Sequence, residues 1–140
     1  MTDDLANQLR RANLRVTAPR LAVLEVLGQE AHIDAETVTS QVRTRLGSLS
    51  TQAVYDILHA FTEAGLIRRI EPAGSPAVYE TRTGDNHHHV VCRRCAAIAD
   101  VDCVLGDAPC LDPSGTRGFL VDEAEITFWG VCPDCQRRPV

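Results

Sequence analysis

The sequence predicts an α+β protein with a mainly helical N-terminal part and a C-terminal part of short strands. Up to about residue 64, apolar residues recur every three to four positions, which is the spacing of amphipathic helices. From residue 66 onward they form short runs separated by Gly and Pro, which favours strands. The C-terminal part also contains two C-x-x-C pairs, at 92–95 and 132–135. Matched pairs of this kind are typical of a structural zinc site in a small domain.

Four helices are predicted in the N-terminal part from their capping residues. The first covers residues 1–12, with Asp3 and Asp4 in its first turn, where the helix dipole favours acids. Each of the other three helices is preceded by a side chain that can accept a hydrogen bond from the first turn. These N-cap residues are Thr17, Asp34 and Ser50. The fourth helix, residues 51–64, is expected to end at Gly65, because glycine readily adopts the positive φ of a helix C-terminus.

A two-stranded hairpin is predicted after the fourth helix, from Leu66–Ile70 and Ala77–Glu80. Helices followed by such a hairpin are the element order of a winged helix-turn-helix, in which the fourth helix would lie in the major groove of DNA. Thr51, Gln52 and Tyr55 share a face of this helix away from its apolar stripe and are candidates for base and phosphate contacts. An ordinary solvated face explains the same residues equally well.

The elements divide the chain into two domains joined by a short linker. Residues 1–81 would form the DNA-binding domain, residues 82–86 a hinge, and residues 87–140 a second, metal-binding domain. Short apolar runs beyond the hinge suggest a small sheet of at least three strands, and residues 102–117 are expected to be mostly irregular. The runs are Val90–Val91, Ala97–Ala99, Phe119–Val121 and Ile126–Trp129.

The two C-x-x-C pairs are the strongest chemical signal in the chain. They can supply four thiolates to one tetrahedral zinc ion, which leaves the ion no open coordination position. The predicted ligands are Cys92, Cys95, Cys132 and Cys135. Two disulfides or four buried thiols are the alternative. A zinc-dependent hydrolase or deaminase is the alternative from another functional class, but the deaminase pattern of H-x-E with P-C-x-x-C is not matched.

The run of three histidines before the first pair is a second candidate metal site. If the run lies in a strand, His87 and His89 share one face and His88 points to the other. Two imidazoles on one face can bind a divalent metal, and further ligands would complete the site. Candidates for these further ligands are His32, Glu80 and Asp100. A solvated polar loop remains an equally good explanation of the run.

The bulk properties narrow the class of protein. No apolar run approaches the roughly 18 residues that a membrane span needs, and no signal peptide is visible, so a cytoplasmic location with no membrane is expected. In that reducing compartment the six cysteines indicate metal ligands or redox sensors rather than disulfides. The net charge of −5 argues only weakly against binding to nucleic acid, because a local basic patch is enough.

The motifs together resemble those of the ferric uptake regulator superfamily of metal-dependent bacterial repressors, over nearly the whole chain. The segments that carry the resemblance are Leu14–Arg20, Ser50–Leu58, Glu63–Ile67, Tyr79–Glu80, His87–Cys95 and Cys132–Cys135. Within the superfamily the chain is most similar to the actinobacterial, peroxide-responsive FurA/CatR type. The segments Gly84–His89, Ala99–Cys103 and Phe119–Glu125 carry that finer likeness.

The resemblance implies a homodimer, with an N-terminal winged helix and a C-terminal α/β dimerisation domain, that binds an A/T-rich palindromic operator in double-stranded DNA. It implies a regulatory metal site with ligands from both domains and the linker, and Fe²⁺ or Mn²⁺ as the ion, although other divalent metals also fit. The implied ligands are His32, Glu80, His87, His89 and Asp100. The residues expected to contact DNA are Arg15, Arg20, Thr51, Gln52 and Tyr55.

The function implied is repression of catalase or catalase-peroxidase genes in response to peroxide, with no enzymatic activity. Oxidation of His32 or His89 beside Fe²⁺, or of the thiolates, would release the metal clamp. Glu80 stands where the known peroxide sensors of the family have aspartate, so an iron-, nickel- or zinc-uptake regulator is the alternative within the family. The third metal site of many relatives is expected to be absent or altered, because 122–125 lacks its histidine. Cys103 and Cys110 are either a redox pair or incidental thiols.

Overall fold

The fold is described from a computed structural model for residues 2–85, 87–102 and 115–138. The chain divides into two compact units, residues 1–83 and 84–140. The division falls within the segment 82–86, while the domain limits assigned from the sequence remain a prediction. No helix in the described ranges is long and apolar enough to span a membrane.

The N-terminal unit combines helices with a small antiparallel sheet. Over residues 2–83 its helices are α1 (Thr2–Arg11), α2 (Ala18–Leu27), α3 (Ala35–Leu46) and α4 (Thr51–Glu63). Its strands are β1 (Ile33–Asp34), β2 (Arg68–Ile70) and β3 (Val78–Glu80), in the order β1-β3-β2. The sequence does not predict β1, because two residues are too few to show a period; pairing with β3, Ile33 opposite Tyr79, is what makes it a strand.

The three predicted N-caps are confirmed. The side chains of Thr17, Asp34 and Ser50 each accept a hydrogen bond from the backbone N–H three residues later, at 3.3, 2.7 and 3.0 Å. Each cap satisfies one of the four N–H groups that a helix leaves without an intrahelical partner. Fully buried side chains from the four helices then pack together as one core. They include Leu9, Val23, Val26, Leu27, Val38, Val42, Val54, Leu58 and Phe61.

The described residues of the C-terminal unit form a mixed three-stranded sheet. Its elements are β4 (His87–Cys92), β5 (Ile98–Asp102), β6 (Thr127–Gly130) and the short helix α5 (Pro133–Arg137). The central strand β4 pairs antiparallel with β5 and parallel with β6. The strands predicted near 90–91, 97–99 and 126–129 are therefore confirmed. The helix α5 was not predicted.

One predicted strand is wrong. Residues Phe119–Val121 have no regular secondary structure, and the side chains of Phe119 and Leu120 are 75% and 98% exposed. An apolar run indicates a surface that can be buried, but a strand also needs a neighbouring backbone with which to pair. The predicted irregular segment 102–117 falls mostly on residues 103–114, which lie outside the described residues together with Cys103 and Cys110.

Candidate metal centres and nucleic-acid interface

Parallel pairing of β4 and β6 brings the two C-x-x-C pairs together. Cys92 lies opposite Gly130, so the two parallel strands end at the same end of the sheet, and a cysteine pair lies at the end of each. In the first pair Cys92 is the last residue of β4, and Cys95 lies in the turn 93–95 that follows it. In the second pair Cys132 caps α5 and Cys135 lies within it, with the Cys132 Sγ 3.4 Å from the backbone nitrogen of Cys135.

The four sulfur atoms form a compact cluster whose spacing suits a zinc ion. They all lie within 4.8 Å of one another, and Cys95 Sγ is 3.7 Å from Cys132 Sγ. Four bonds of about 2.3 Å in a tetrahedron place sulfurs roughly 3.8 Å apart. All four residues are free cysteines, so the alternative of two disulfides among them is not supported.

Two of these thiols have pKa values shifted in opposite directions. Backbone N–H groups of Cys132 and Cys95 donate to the sulfur of Cys92 and lower the pKa of that thiol to about 6. A hydrogen bond to the Cys132 side chain, together with burial, raises the pKa of Cys135 to about 12. Sulfurs this close cannot all carry negative charge unless a cation neutralises them. The donor set therefore fits a divalent metal that binds thiolates.

A histidine–carboxylate group lies on one face of the sheet in the C-terminal unit. His87 and His89 alternate with His88 along β4, as the sequence predicts for a strand, and their rings meet edge to face at 4.8 Å. The Oδ1 of Asp100, on the paired strand β5, is 3.3 Å from His89 Nε2 and 3.7 Å from His87 Nε2. Antiparallel pairing of His89 with Asp100 produces this proximity.

Asp85 is a member of this group that the sequence analysis missed. Its carboxylate contacts Nδ1 of His87, which leaves Nε2 directed toward Asp100. A carboxylate on one ring nitrogen fixes the tautomer of a histidine and makes the other nitrogen a better metal ligand. Its position two residues before His87 was the available signal, because a carboxylate so near in the sequence can reach the imidazole.

A second histidine–carboxylate pair lies within the N-terminal unit. The pairing of Ile33 with Tyr79 places His32 beside Glu80, and His32 Nε2 is 3.3 Å from Glu80 Oε2. Glu80 is 1% exposed, and a buried carboxylate requires a compensating positive charge or hydrogen bonds. Arg68 lies directly opposite in β2, with its Nη1 3.9 Å from Glu80 Oε1. The predicted regulatory ligands thus occur as two groups, each within one unit.

The candidate DNA-binding residues lie on α4, just before α2 and in the first turn of α2. Tyr55 is 47% exposed and, with Thr51, lines a groove of about 530 Å³ between α3 and α4. Gln52 donates to Asp56 at 2.9 Å, so its amide is already held in place. Arg20 Nη1 donates to the backbone carbonyl of Arg15 at 2.9 Å, which links the two predicted arginines.

Arg43 also lines this groove, and the sequence analysis missed it. Its Nε donates to the carbonyl of Leu49 at 2.8 Å, and its Nη2 donates to the hydroxyl of Thr51 at 3.1 Å. These bonds fix the loop before α4 and place a positive charge at the start of that helix. No local pattern marks such a residue, because its partners lie six and eight positions later, on another element.

Comparisons with known proteins agree with this arrangement. The ferric uptake regulator family matches residues 11–127. The transcriptional regulator FurA of Mycobacterium tuberculosis is 61% identical over 132 residues, 94% of this chain and 90% of that protein. Ferric uptake regulation protein 2 of Mycolicibacterium fortuitum is 55% identical over 99% of this chain and 97% of that protein. The crystal structure of the Vibrio cholerae ferric uptake regulator superposes with a TM-score of 0.72 at 27% identity, covering 91% and 98% of the two chains.

Proposed function

We propose that this chain, which belongs to the ferric uptake regulator family, is a peroxide-responsive repressor of catalase or catalase-peroxidase genes. Membership of the family makes the chain a metal-responsive transcriptional regulator and not an enzyme. Regulators of this family bind operator DNA as dimers. The peroxide response, the metals and the operator are the parts that we propose. The buried histidine–carboxylate groups on either side of the segment 82–86 are the observation that carries the proposal.

We assign zinc to the cysteine cluster. Four thiolates with sulfur spacings near those of a tetrahedron match the ligand set of structural zinc sites, which leave no coordination position open for chemistry. The two cysteine pairs lie at the paired ends of β4 and β6. Zinc bound there would hold these ends together and stabilise a unit whose own apolar core is small. Its role is structural, and the cysteines are Cys92, Cys95, Cys132 and Cys135.

We assign an exchangeable metal, Fe²⁺ or Mn²⁺, to the histidine and carboxylate ligands. Nitrogen and oxygen donors suit these ions, and neither group alone supplies the five or six ligands that they commonly take. The family resemblance implies that His32 and Glu80 bind the same ion as His87, His89 and Asp100. By holding both units to a single point, these side chains would fix the separation of the two α4 helices in a dimer. Operator half-sites have a set spacing, so release of the ligands lowers affinity without altering a DNA contact.

Operator binding is assigned to α4 and to the start of α2 with the segment before it. Thr51, Gln52 and Tyr55 would face base edges and phosphates in the major groove. Arg15 would reach the minor groove or the backbone, and Arg20, like Gln52, would support docking. Exposure of Tyr55 supports this assignment. The proposed operator is a palindrome because a symmetric dimer matches a symmetric site, and its A/T-rich composition is implied by the family resemblance. The proposed location is the cytoplasm, where such a regulator would meet its DNA.

Hydrogen peroxide would act by oxidising the ligands. One of its oxygen atoms is transferred to the imidazole ring of His32 or His89, or to a cysteine sulfur, and the other leaves as water or hydroxide. An oxidised ring no longer offers the same nitrogen donor, so the regulatory metal would be released. Glu80, in the position where known peroxide sensors carry aspartate, favours the second candidate function, an iron-, nickel- or zinc-uptake regulator.

Operator affinity before and after peroxide treatment distinguishes the two functions. Protein purified anaerobically is loaded with Fe²⁺ or Mn²⁺ and titrated against a palindromic A/T-rich duplex, with a scrambled duplex as the control. We expect metal-dependent binding to the palindrome and, in the Fe²⁺ form, a loss of at least roughly tenfold in affinity after peroxide, equivalent to about 1.4 kcal/mol. Mass spectrometry of the treated protein locates the added oxygen. Binding that peroxide leaves unchanged with both metals would leave the uptake regulator as the function.

A further inference from the structure

Arg94 lies inside the first C-x-x-C pair but binds the second pair. Its Nη1 donates to the backbone carbonyl of Cys135 at 3.0 Å and lies 3.4 Å from the carbonyl of Arg138, more than forty residues along the chain. Both carbonyls lie at the C-terminal end of α5, where few backbone N–H groups remain to bond them. The Cys135 carbonyl accepts the backbone N–H of Arg138 at 3.2 Å as well as the guanidinium of Arg94. A guanidinium at this position also interacts favourably with the negative end of the helix dipole.

The contact fastens α5 at the end opposite to its cap. At the N-terminal end, the backbone N–H of Cys132 donates to Cys92 Sγ at 3.3 Å. At the other end, Arg94 holds the carbonyl of Cys135, whose own sulfur belongs to the cluster. A helix of five residues is too short to persist without tertiary contacts. Its position, and that of its two sulfurs, therefore depends on these two attachments.

Charge favours the same arrangement. Zinc with four thiolates carries a net charge of −2, and the guanidinium of Arg94 lies next to the backbone of one ligand. Arginine stays protonated at any physiological pH, so this charge is constant. The neighbouring Arg93 has the same charge, but its guanidinium lies over the ring of Trp129, 5.5 Å from the ring centre. Replacing each of these adjacent arginines in turn therefore separates the effect of charge on zinc binding from the effect of the contact to Cys135.

We propose that Arg94 is a positioning residue that holds the second cysteine pair against the first and thereby slows the dissociation of zinc. This inference rests on the zinc site proposed above. It adds a residue that binds no metal itself but controls how long the metal stays. Partners of metal ligands commonly contribute about 10- to 100-fold to metal affinity, so the effect is measurable.

The test compares full-length R94M with R93M, a pair of variants that each remove one guanidinium from the same turn. Zinc content is measured first in the wild type, where about one ion per chain is expected. Release to a chromogenic chelator is then followed at neutral pH. We expect R94M to release zinc on the order of 10-fold faster than the wild type, and R93M to differ from the wild type by less than about twofold, since charge at a distance is largely screened. R94K keeps the charge and a donor, and its rate should lie between those of R94M and the wild type.

Each failure has a distinct meaning. A wild type without zinc would refute the proposed zinc site itself. A zinc-loaded wild type with an R94M rate equal to its own would overturn the role of Arg94 alone. Equal rates for R93M and R94M, both faster than that of the wild type, would assign the effect to charge and overturn positioning by the contact. If R94M does not fold, as judged by circular dichroism, R94K against R93M decides the question in the same way.

Discussion

At the scale of single residues, Glu80 is the side chain whose surroundings need the most explanation. It is 1% exposed, lies 3.3 Å from His32, and has Arg68 opposite it in the sheet. A buried carboxylate is retained at a cost, because water no longer solvates it. The proposed function gives the reason for keeping it there, which is to bind the regulatory metal. Arg68 stabilises the negative charge within the same unit.

The variant E80Q tests this role, because it keeps the shape of the side chain and removes its charge. We expect the affinity for Mn²⁺ to fall by at least roughly tenfold, since even the partners of ligands contribute that much. Isothermal titration calorimetry measures the affinity, and the zinc content should stay unchanged. The control is E71Q, because Glu71 is exposed and pairs with Arg69 at 3.1 Å on the surface. Equal Mn²⁺ affinity of E80Q and E71Q would remove Glu80 from the site.

At the scale of elements, the start of α4 is held by two independent interactions. The hydroxyl of Ser50 accepts the N–H of Ala53, and Arg43 binds the loop and the hydroxyl of Thr51. Three of the candidate DNA-binding residues, Thr51, Gln52 and Tyr55, lie in the first two turns after this cap. Their direction therefore depends on the cap, which links the stability of an element to the proposed recognition.

The variant S50A should lower the stability of the N-terminal unit by about 1 kcal/mol, because it removes the acceptor for an N–H at the end of the helix. Thermal unfolding measures the loss as a fall of a few degrees in Tm. A matched control is S48A, which changes an exposed serine of the same loop. If the two variants unfold at the same temperature, the cap contributes nothing measurable to α4.

At the scale of the whole molecule, exposed apolar side chains are concentrated in the C-terminal unit. Exposed patches of this kind commonly mark protein–protein interfaces. Among the described residues of this unit, the exposed large apolar side chains are Phe119, Leu120, Val121, Ile126, Phe128 and Val131. Because regulators of this family act as dimers, we assign the patch to contact with a second copy of the chain.

The variant L120D places a charge in that patch and should shift the protein toward monomers, with a dimer dissociation constant at least roughly tenfold higher. Leu120 is 98% exposed, so the change should leave the fold of the single chain intact. Sedimentation velocity at several concentrations measures the association. The control is L46D, on the exposed end of α3 in the other unit. A dimer that L46D disrupts and L120D does not would move the interface to the N-terminal unit.

The sequence by itself determined the features that depend on near neighbours in the chain. The caps at Thr17, Asp34 and Ser50 follow from side chains that reach the next turn, and the alternation of His87 and His89 follows from the period of a strand. Likewise, the cysteine pairs predicted a thiolate cluster from their spacing alone. The family resemblance then supplied His32, Glu80 and Asp100 as ligands, an assignment that remains a prediction.

Only the tertiary structure decided which distant segments meet. The strand β1 exists because β3 lies beside it, and the apolar run at 119–121 is not a strand because an apolar pattern does not specify a backbone partner. Parallel pairing of β4 and β6 brings the cysteine pairs together, and with them comes the contact of Arg94 to Cys135. Such contacts join residues about forty positions apart, and the free energy that selects them comes from burying surfaces of the folded unit rather than from local periodicity.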